Sequence, residues 1–529
     1  MPRRHPPGVI VGQYQRVKGT MRHMNGAVAL TSALVLLLAA VIFVTVTGTG
    51  HGGWRPLLGM LVAWVVFVAA AISARRLPAR HIPALIVAGS LLLGAVAVAA
   101  PPVVSSDSAR YAWDGIVQKA GISPYRYAPA DPALAGLRPE WLFRVPAPGA
   151  NCHAAPFPTG TVVTTSGPET AVLCTAINRP QVHTVYPAVA ELYFLAVRLL
   201  PGADVGFIAF QLAGLVLSLT VTVMLLRFLR RSGRPAHQAV WWAWCPLVAF
   251  EAVNGAHVDV LGAVLAAAAA LLLAGGKPLR SGVAFGAAVA TKLIPALLAP
   301  AMLYRKPLRF TVAASATFLV AYLPFLAVSG AAVLGYLPGY LQEEGYAGGS
   351  SARFALLQLV LPSPWELFAG LALLLCLAVW VWRHTDQAKP WDSQVLMIGG
   401  TLLLVSPGYP WYALLLVPFV VMSRRYEYLA IPPVLTVMYL GGSMALDQAL
   451  LAVSVAAIAI VGWFRQRRVN RPVRRPGPSR RETRRTGSPV PKRLCCIVSR
   501  RNRQGAGHVR HMPAAVQAHA SYETGRDFP

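Results

Sequence analysis

Charge is what this chain has least of. Asp, Glu, Lys and Arg make up 13% of its 529 residues, about half the share of an ordinary soluble domain. With 56% hydrophobic residues and a mean hydropathy of +0.53, that shortage argues against a soluble globular protein and for a membrane protein. Acids are scarcer still, 19 against 48 Lys and Arg, for a formal charge of +29. In a soluble protein such an excess would suggest nucleic acid. Here Lys and Arg cluster between apolar runs and in the C-terminal tail, which is the positive-inside pattern, so no nucleic-acid partner is expected. There are only six cysteines. Cys245 and Cys376 fall in expected spans and Cys495 and Cys496 in an expected cytoplasmic tail. That leaves Cys152 and Cys174 together in one outer loop, where oxidation is permitted. A disulfide between them and two free thiols are both open readings. The N-terminus has no small-residue cleavage site, and its apolar run 27–46 is too long for a signal peptide. Residues 1–25 are therefore expected to be a cytoplasmic lead-in.

Apolar runs long enough to cross a hydrocarbon core of roughly 30 Å recur along most of the chain. Spans are expected at 26–47, 55–74, 82–100, 204–226, 236–253, 257–274, 310–328, 365–382, 392–406, 409–422, 428–445 and 449–464. Segment 281–303 has basic flanks at both ends and is interrupted by Lys292 and Pro295, so it is expected to be a broken hairpin of two half-helices. The fold class is thus an all-α polytopic membrane protein, with about 12 spanning helices plus this hairpin. The transmembrane domain covers 26–464, with both termini cytoplasmic. The tail 465–529 carries 17 Lys or Arg against three acids. It is expected to be disordered and drawn to the anionic leaflet, at about 1 kcal/mol per basic residue near the surface.

Three crossings put 101–182 outside, as a large ordered first extracytoplasmic loop. Segment 183–200 holds Glu191 and Arg198 within an apolar pattern and is expected to be a helix lying in the outer interface. The loop's most informative stretch is 105–127, SSDSARYAWDGIVQKAGISPYRY. It sets Asp107, Arg110, Asp114 and Arg126 close to the bilayer surface, where a plain anchor has little use for them. An inverting sugar transfer needs a carboxylate to take the acceptor hydroxyl's proton and cationic groups for the leaving phosphate. Asp107 is the candidate base. It could also simply cap a helix starting at Ser108.

The string Asp107-Ser-Ala-Arg110-Tyr111-Ala-Trp113-Asp114-Gly115, followed by Gly121-Ile-Ser-Pro124-Tyr125-Arg126-Tyr127-Ala-Pro129, resembles the first outer loop of actinobacterial GT-C glycosyltransferases. The likeness is nearest to polyprenol-phosphate-mannose-dependent mannosyltransferases, including alpha-1,6-mannopyranosyltransferases and family 87. Asn178-Arg-Pro180 through Tyr186-Pro187, Asn254-Gly-Ala-His257-Val-Asp259 and Ser406-Pro-Gly-Tyr-Pro-Trp411-Tyr412 agree in order and kind. The resemblance covers roughly residues 80 to 465.

It implies a GT-C-like bundle with its active site outside, in the cell membrane. It also implies a polyprenyl-phosphate sugar as donor, a glycolipid or lipoglycan acceptor, and Asp107 as catalytic base. Where family members often carry a second acid, this chain has Ser108, which weakens a two-carboxylate metal site. No cofactor is assigned, and a divalent cation stays open. Lys292 and Arg353 are candidates for the donor phosphate. The alternatives are a snorkelling lysine and an arginine that anchors an interfacial helix. His257 and Asp259 are ionisable groups at the end of a span, suited either to the site or to pairing within the bundle. His183, Tyr186 and Glu191 are candidate acceptor contacts. Arg110, Tyr111 and Asp114 belong to the loop motif, with Asp114 equally suited to organising the loop. Trp411 and Tyr412 could stack on a sugar or belong to an aromatic belt. Two rivals remain: a secondary transporter, which would ordinarily show two similar halves, and the same architecture using polyprenyl-phosphate arabinose or glucose.

Overall fold

The computed structural model describes residues 7–48, 54–146, 152, 160–166, 169–200, 202, 204, 206–337, 339 and 353–469. All of them fall within one compact unit, residues 1–470. Residues 340–352, just before Arg353, and the basic tail beyond residue 469 lie outside the described residues.

Helices dominate. They are α1 (Pro7–Gly48), α2 (Trp54–Ser73), α3 (Ile82–Ala97), α4 (Asp107–Lys119), α5 (Ala188–Arg198), α6 (Ile208–Arg231), α7 (Val240–Ala243), α8 (Asp259–Ala274), α9 (Pro278–Val289) and α10 (Pro307–Ser329). After them come α11 (Trp365–His384), α12 (Pro390–Val405), α13 (Val417–Ser423), α14 (Ile431–Leu440) and α15 (Met444–Val469). Among the described residues, six helical segments are long and apolar enough to cross a membrane, or seven if one pair bent by 110° counts as a span. The protein is therefore a helical membrane protein with several apolar helices, fewer among the described residues than the twelve spans expected.

The reason is burial. Segment 236–253 is a 3-10 turn at Ala236–Ala239, the short α7, a break at Trp244–Cys245, and a helical restart at Pro246 that runs into a π-helical stretch Val248–Asn254. Pro246 has no N–H to continue a helix. Nearly every side chain from Gln238 to Asn254 is buried in protein, so its apolarity reflects a protein core rather than lipid. Segment 409–422 is broken in the same way, into a 3-10 turn Pro410–Leu414 and α13. By contrast α10 and α11 are largely exposed along their apolar length, as lipid-facing helices are. Residues 281–303 do break at Lys292, between α9 and a 3-10 stretch Ile294–Met302.

The loop expected outside, 101–182, differs from an all-α expectation. It contains a three-stranded antiparallel sheet in the order β1 (Phe143–Arg144), β3 (Glu169–Thr175), β2 (Gly160–Ser166). Cys174 in β3 forms a disulfide with Cys152. Helix α4 is buried on two sides. Ala109, Trp113 and Val117 pack with Leu142, Phe143 and Val162, while Tyr111 and Ala112 pack with Ala190, Phe194 and Phe210. Each large side chain buried this way contributes about 1.5–3 kcal/mol. Gly115 permits the second contact, since a Cβ there would sit 2.7 Å from the Phe194 carbonyl oxygen.

Helix α5 forms within 183–200, the segment expected to lie in the outer interface. Its Glu191 and Arg198 are 0% and 1% exposed, so both face protein instead of water. Thr184 donates to one Glu191 oxygen at 2.7 Å and Gln118 to the other at 2.9 Å. Arg198 donates to the Gly206 carbonyl at 3.0 Å and lies over Trp141 and Phe210. His183 and Tyr186 precede this helix, in extended chain.

Candidate active site

The site begins where α3 ends. Prolines 101 and 102 forbid continuation of the helix, and one buried side chain ties down the freed backbone. Asn254 donates to the carbonyls of Ala97, Ala100 and Pro101 at 2.9, 3.2 and 3.2 Å. Its own oxygen accepts from the Val103 N–H at 3.0 Å. Gln211 reinforces this, donating to Ala100 and Asn254 carbonyls at 2.9 and 3.0 Å. The chain is thus held rigidly as it enters α4 at Asp107.

Asp107 lies in the first turn of α4, and its backbone N–H donates to Ser105 Oγ at 3.2 Å. Its carboxylate does not cap the helix. Oδ2 lies 3.6 Å from His257 Nδ1. Burial alone would raise the Asp107 carboxyl, but the neighbouring imidazole, then the charge of Lys292, hold it below its ordinary value. A carboxylate kept ionised is what a base requires.

Asp107 opens onto a cavity of about 860 Å³. Its lining includes the polar residues Arg110, Asn178, Arg179, His183, Tyr186 and Lys292 and the aromatic residues Tyr409, Trp411, Tyr412 and Tyr439. Leu293, Ile294, Leu297, Leu371 and Leu374 are among its apolar lining residues. Residues from widely separated parts of the chain meet here because the α3–α4 turn, the break at Lys292 and the 3-10 turn at Pro410 all open onto one space.

The expected candidates divide by depth. Asp107, Arg110, His183, Tyr186, Lys292, Trp411 and Tyr412 line the cavity. Lys292 donates to Asp259 Oδ2 at 2.7 Å, and its ammonium lies 4.6 Å from the Tyr412 ring centroid. His257 and Asp259 stand behind the wall, 0% and 4% exposed. Tyr111 is buried in an aromatic cluster, 4.4 Å from Phe194 and 5.0 Å from Tyr186. Asp114 is also buried, receiving the Arg110 guanidinium at 2.9 Å, while Arg110 also donates to the Val182 carbonyl at 3.1 Å. Arg353 is buried beside Tyr409, 5.5 Å from its ring centroid, rather than on the cavity surface. Among the described residues, no three His, Cys, Asp or Glu side chains are grouped to hold a metal ion.

Three residues were not singled out from sequence. Tyr409 and Tyr439 line the cavity. Glu251 lies 3.3 Å from His257 Nε2 with a side chain 2% exposed. A single acid within the apolar run 236–253 was the available signal, because intramembrane acids are functional candidates by default.

These features define a helical membrane protein with a carboxylate held below its ordinary pKa and a lysine facing one large, mostly apolar cavity. The model of glycosyltransferase family 87 matches residues 184–407, which supports a membrane glycosyltransferase of the GT-C type. Glu251, His257, Asp259, Lys292 and Arg353 fall inside the matched stretch, and Asp107 lies before it. No curated protein and no solved structure matches the chain significantly.

Proposed function

We propose that this membrane glycosyltransferase moves mannose from a polyprenyl-phosphate donor to a glycolipid or lipoglycan acceptor, with inversion, at the extracytoplasmic face. The observation that carries the reading is the cavity itself. It joins a carboxylate held below its ordinary pKa, a lysine and a wall of leucines within one space. A donor made of a sugar, one phosphate and an isoprenoid tail has three matching parts.

In this reading the acceptor hydroxyl gives its proton to Asp107 as its oxygen bonds to the anomeric carbon. The bond from that carbon to the phosphate oxygen breaks, and the polyprenyl phosphate leaves with the electron pair. Lys292 faces the negative charge gathering on the phosphate, a role for which fixed cations in a water-poor site are well suited. The tail lies against Leu293, Ile294, Leu297, Leu371 and Leu374, where each buried methylene contributes about 0.8 kcal/mol. Arg110, His183 and Tyr186 face the acceptor. Trp411 and Tyr412 offer rings for a sugar to stack on, and Asp114 holds Arg110 in place. Burial of Arg353 behind Tyr409 favours Lys292 as the phosphate partner. The disulfide in the outer loop supports an oxidising compartment for that face. In this reading residues 1–25 and 465–529 lie on the cytoplasmic side.

Asp107→Asn keeps the shape of the side chain and removes its basicity. Membranes carrying this variant and supplied with radiolabelled polyprenyl-phosphate mannose are expected to lose transfer by roughly 10²–10⁴-fold, the contribution of a positioned base. Insertion and yield should stay normal. Wild-type activity in the variant would falsify the assignment. If the native protein labels no lipid with mannose but does so with arabinose or glucose, the donor sugar changes and the mechanism stands.

A further inference from the structure

The run from Glu251 to His257 is built around one imidazole. Val248–Asn254 winds as a π-helix, a form that concentrates at functional sites. The chain then bends by 110° into α8, and Ala256, though not glycine, adopts a φ of 53°. A left-handed alanine costs on the order of 1–2 kcal/mol, a strain that collects at active sites. The bend is closed by the His257 N–H, which donates to the Glu251 carbonyl at 3.0 Å. The imidazole packs tightly against the bend, since a Cβ at Gly255 would lie 2.9 Å from it. One ring face is stacked on Trp411, centroids 4.0 Å apart and planes 17° from parallel. Rotation of the ring is therefore blocked. In its plane, Nε2 faces Glu251 Oε2 at 3.3 Å and Nδ1 faces Asp107 Oδ2 at 3.6 Å.

The surrounding charges sharpen the point. Lys292 faces Asp107 from the break after α9, and Asp259 at the start of α8 takes the Lys292 ammonium. Tyr439 faces both Asp107 and Glu251 from α14, and Tyr111 faces Asp107 and Asp259 from α4. Among the described residues, the ion pair of Glu251 is with His257 alone. A buried carboxylate needs such a partner, and this one spends its partner on the residue next to the base.

We propose that Glu251 is a positioning residue for Asp107 that acts through His257: its charge beside Nε2 keeps the imidazole protonated on both nitrogens, so that the Nδ1 hydrogen is directed at the Asp107 carboxylate. This rests on the reading of Asp107 as base. No bond to Glu251 changes during transfer. The hydroxyl proton goes to Asp107, and Glu251 and His257 hold that carboxylate ionised and aimed into the cavity.

The test compares Glu251→Gln, Glu251→Asp and Glu251→Ala with the native protein in membranes supplied with polyprenyl-phosphate mannose, between about pH 5 and pH 9. Removing the charge at Nε2 weakens the imidazole's hold on its second hydrogen, so Asp107 takes up a proton at higher pH. Glu251→Gln should lower kcat roughly ten- to hundredfold, at or below the low end of a positioned base's contribution. KM for the donor should stay unchanged, and the acid limb of the pH profile should move to higher pH. Glu251→Asp should recover part of the rate. A second measurement does not depend on activity. In ¹⁵N-histidine spectra of the solubilised protein, the signal removed by His257→Asn should change protonation in Glu251→Gln. If the rate falls only in step with the yield of folded protein, with pH profile and spectrum unchanged, Glu251 merely closes the bend and the proposal is overturned. If the native protein transfers no sugar yet the spectrum changes, the functional reading fails while the Glu251–His257 coupling holds. An inactive protein with an unchanged spectrum overturns both.

Discussion

Lys292 and Asp259 lie 33 positions apart and meet in a 2.7 Å ion pair at the cavity wall. The Asp259 side chain is 3% exposed and that of Lys292 16%, so the carboxylate depends on the lysine more than the reverse. Lys292→Met should destabilise the protein by about 3–5 kcal/mol, because it strands a buried charge. Adding Asp259→Asn removes the stranded charge and should restore most of the thermal stability of the solubilised protein, but not sugar transfer. Recovery of transfer in the double variant would make the pair a bundle contact and nothing more. At this scale the sequence was legible wherever an ionisable group interrupted an apolar pattern, as Lys292 does. Glu251 interrupted one too, yet its run looked like an ordinary span. No pattern in the chain announces that its carboxylate meets the histidine facing Asp107, since that meeting depends on a π-helical turn and a sharp bend.

Helix α5 shows how packing can bury charged groups that its sequence pattern leaves exposed. Its Glu191 and Arg198 look like groups that should rest in water at the membrane edge, but α4 and α6 cover them. Burial pushes the Glu191 carboxyl well above its ordinary value, and the nearby Asp114 carboxylate pushes it further. The folded state therefore holds this proton more tightly than the unfolded chain does. The stability this provides is present below the ordinary carboxyl range and is lost as pH rises through the raised value. Glu191→Gln, which cannot ionise, should gain thermal stability relative to the native protein as pH increases and show little advantage in acid. A difference independent of pH would mean that Glu191 remains charged in the fold. The break at Lys292 was legible from its basic flanks and Pro295. The breaks at Pro246 and Pro410 were not, because apolar composition does not distinguish a lipid-facing helix from a kinked one sealed inside protein.

For the molecule as a whole, the proposal that the 101–182 loop lies outside is one that a cell-surface experiment can test. The Cys152–Cys174 bridge closes a loop with a sequence separation of 22, a length for which a disulfide contributes about 3 kcal/mol by restricting the unfolded chain. Replacing both cysteines with serine should make the 143–175 region cleavable by protease added outside intact spheroplasts, with the native loop resistant. Cleavage only after the cells are broken would place the loop, and the site with it, on the other face. By itself, the sequence determined that this is a helical membrane protein, that polar chemistry gathers at Asp107, and which basic and aromatic residues could serve it. Hydropathy and charge act locally, so those facts survive without coordinates. Tertiary structure decided which apolar segments are core rather than span, that a small sheet stiffens the loop, and which candidates reach the cavity. Those depend on contacts between residues far apart in the chain, made where helices break and their freed backbone groups must find partners elsewhere.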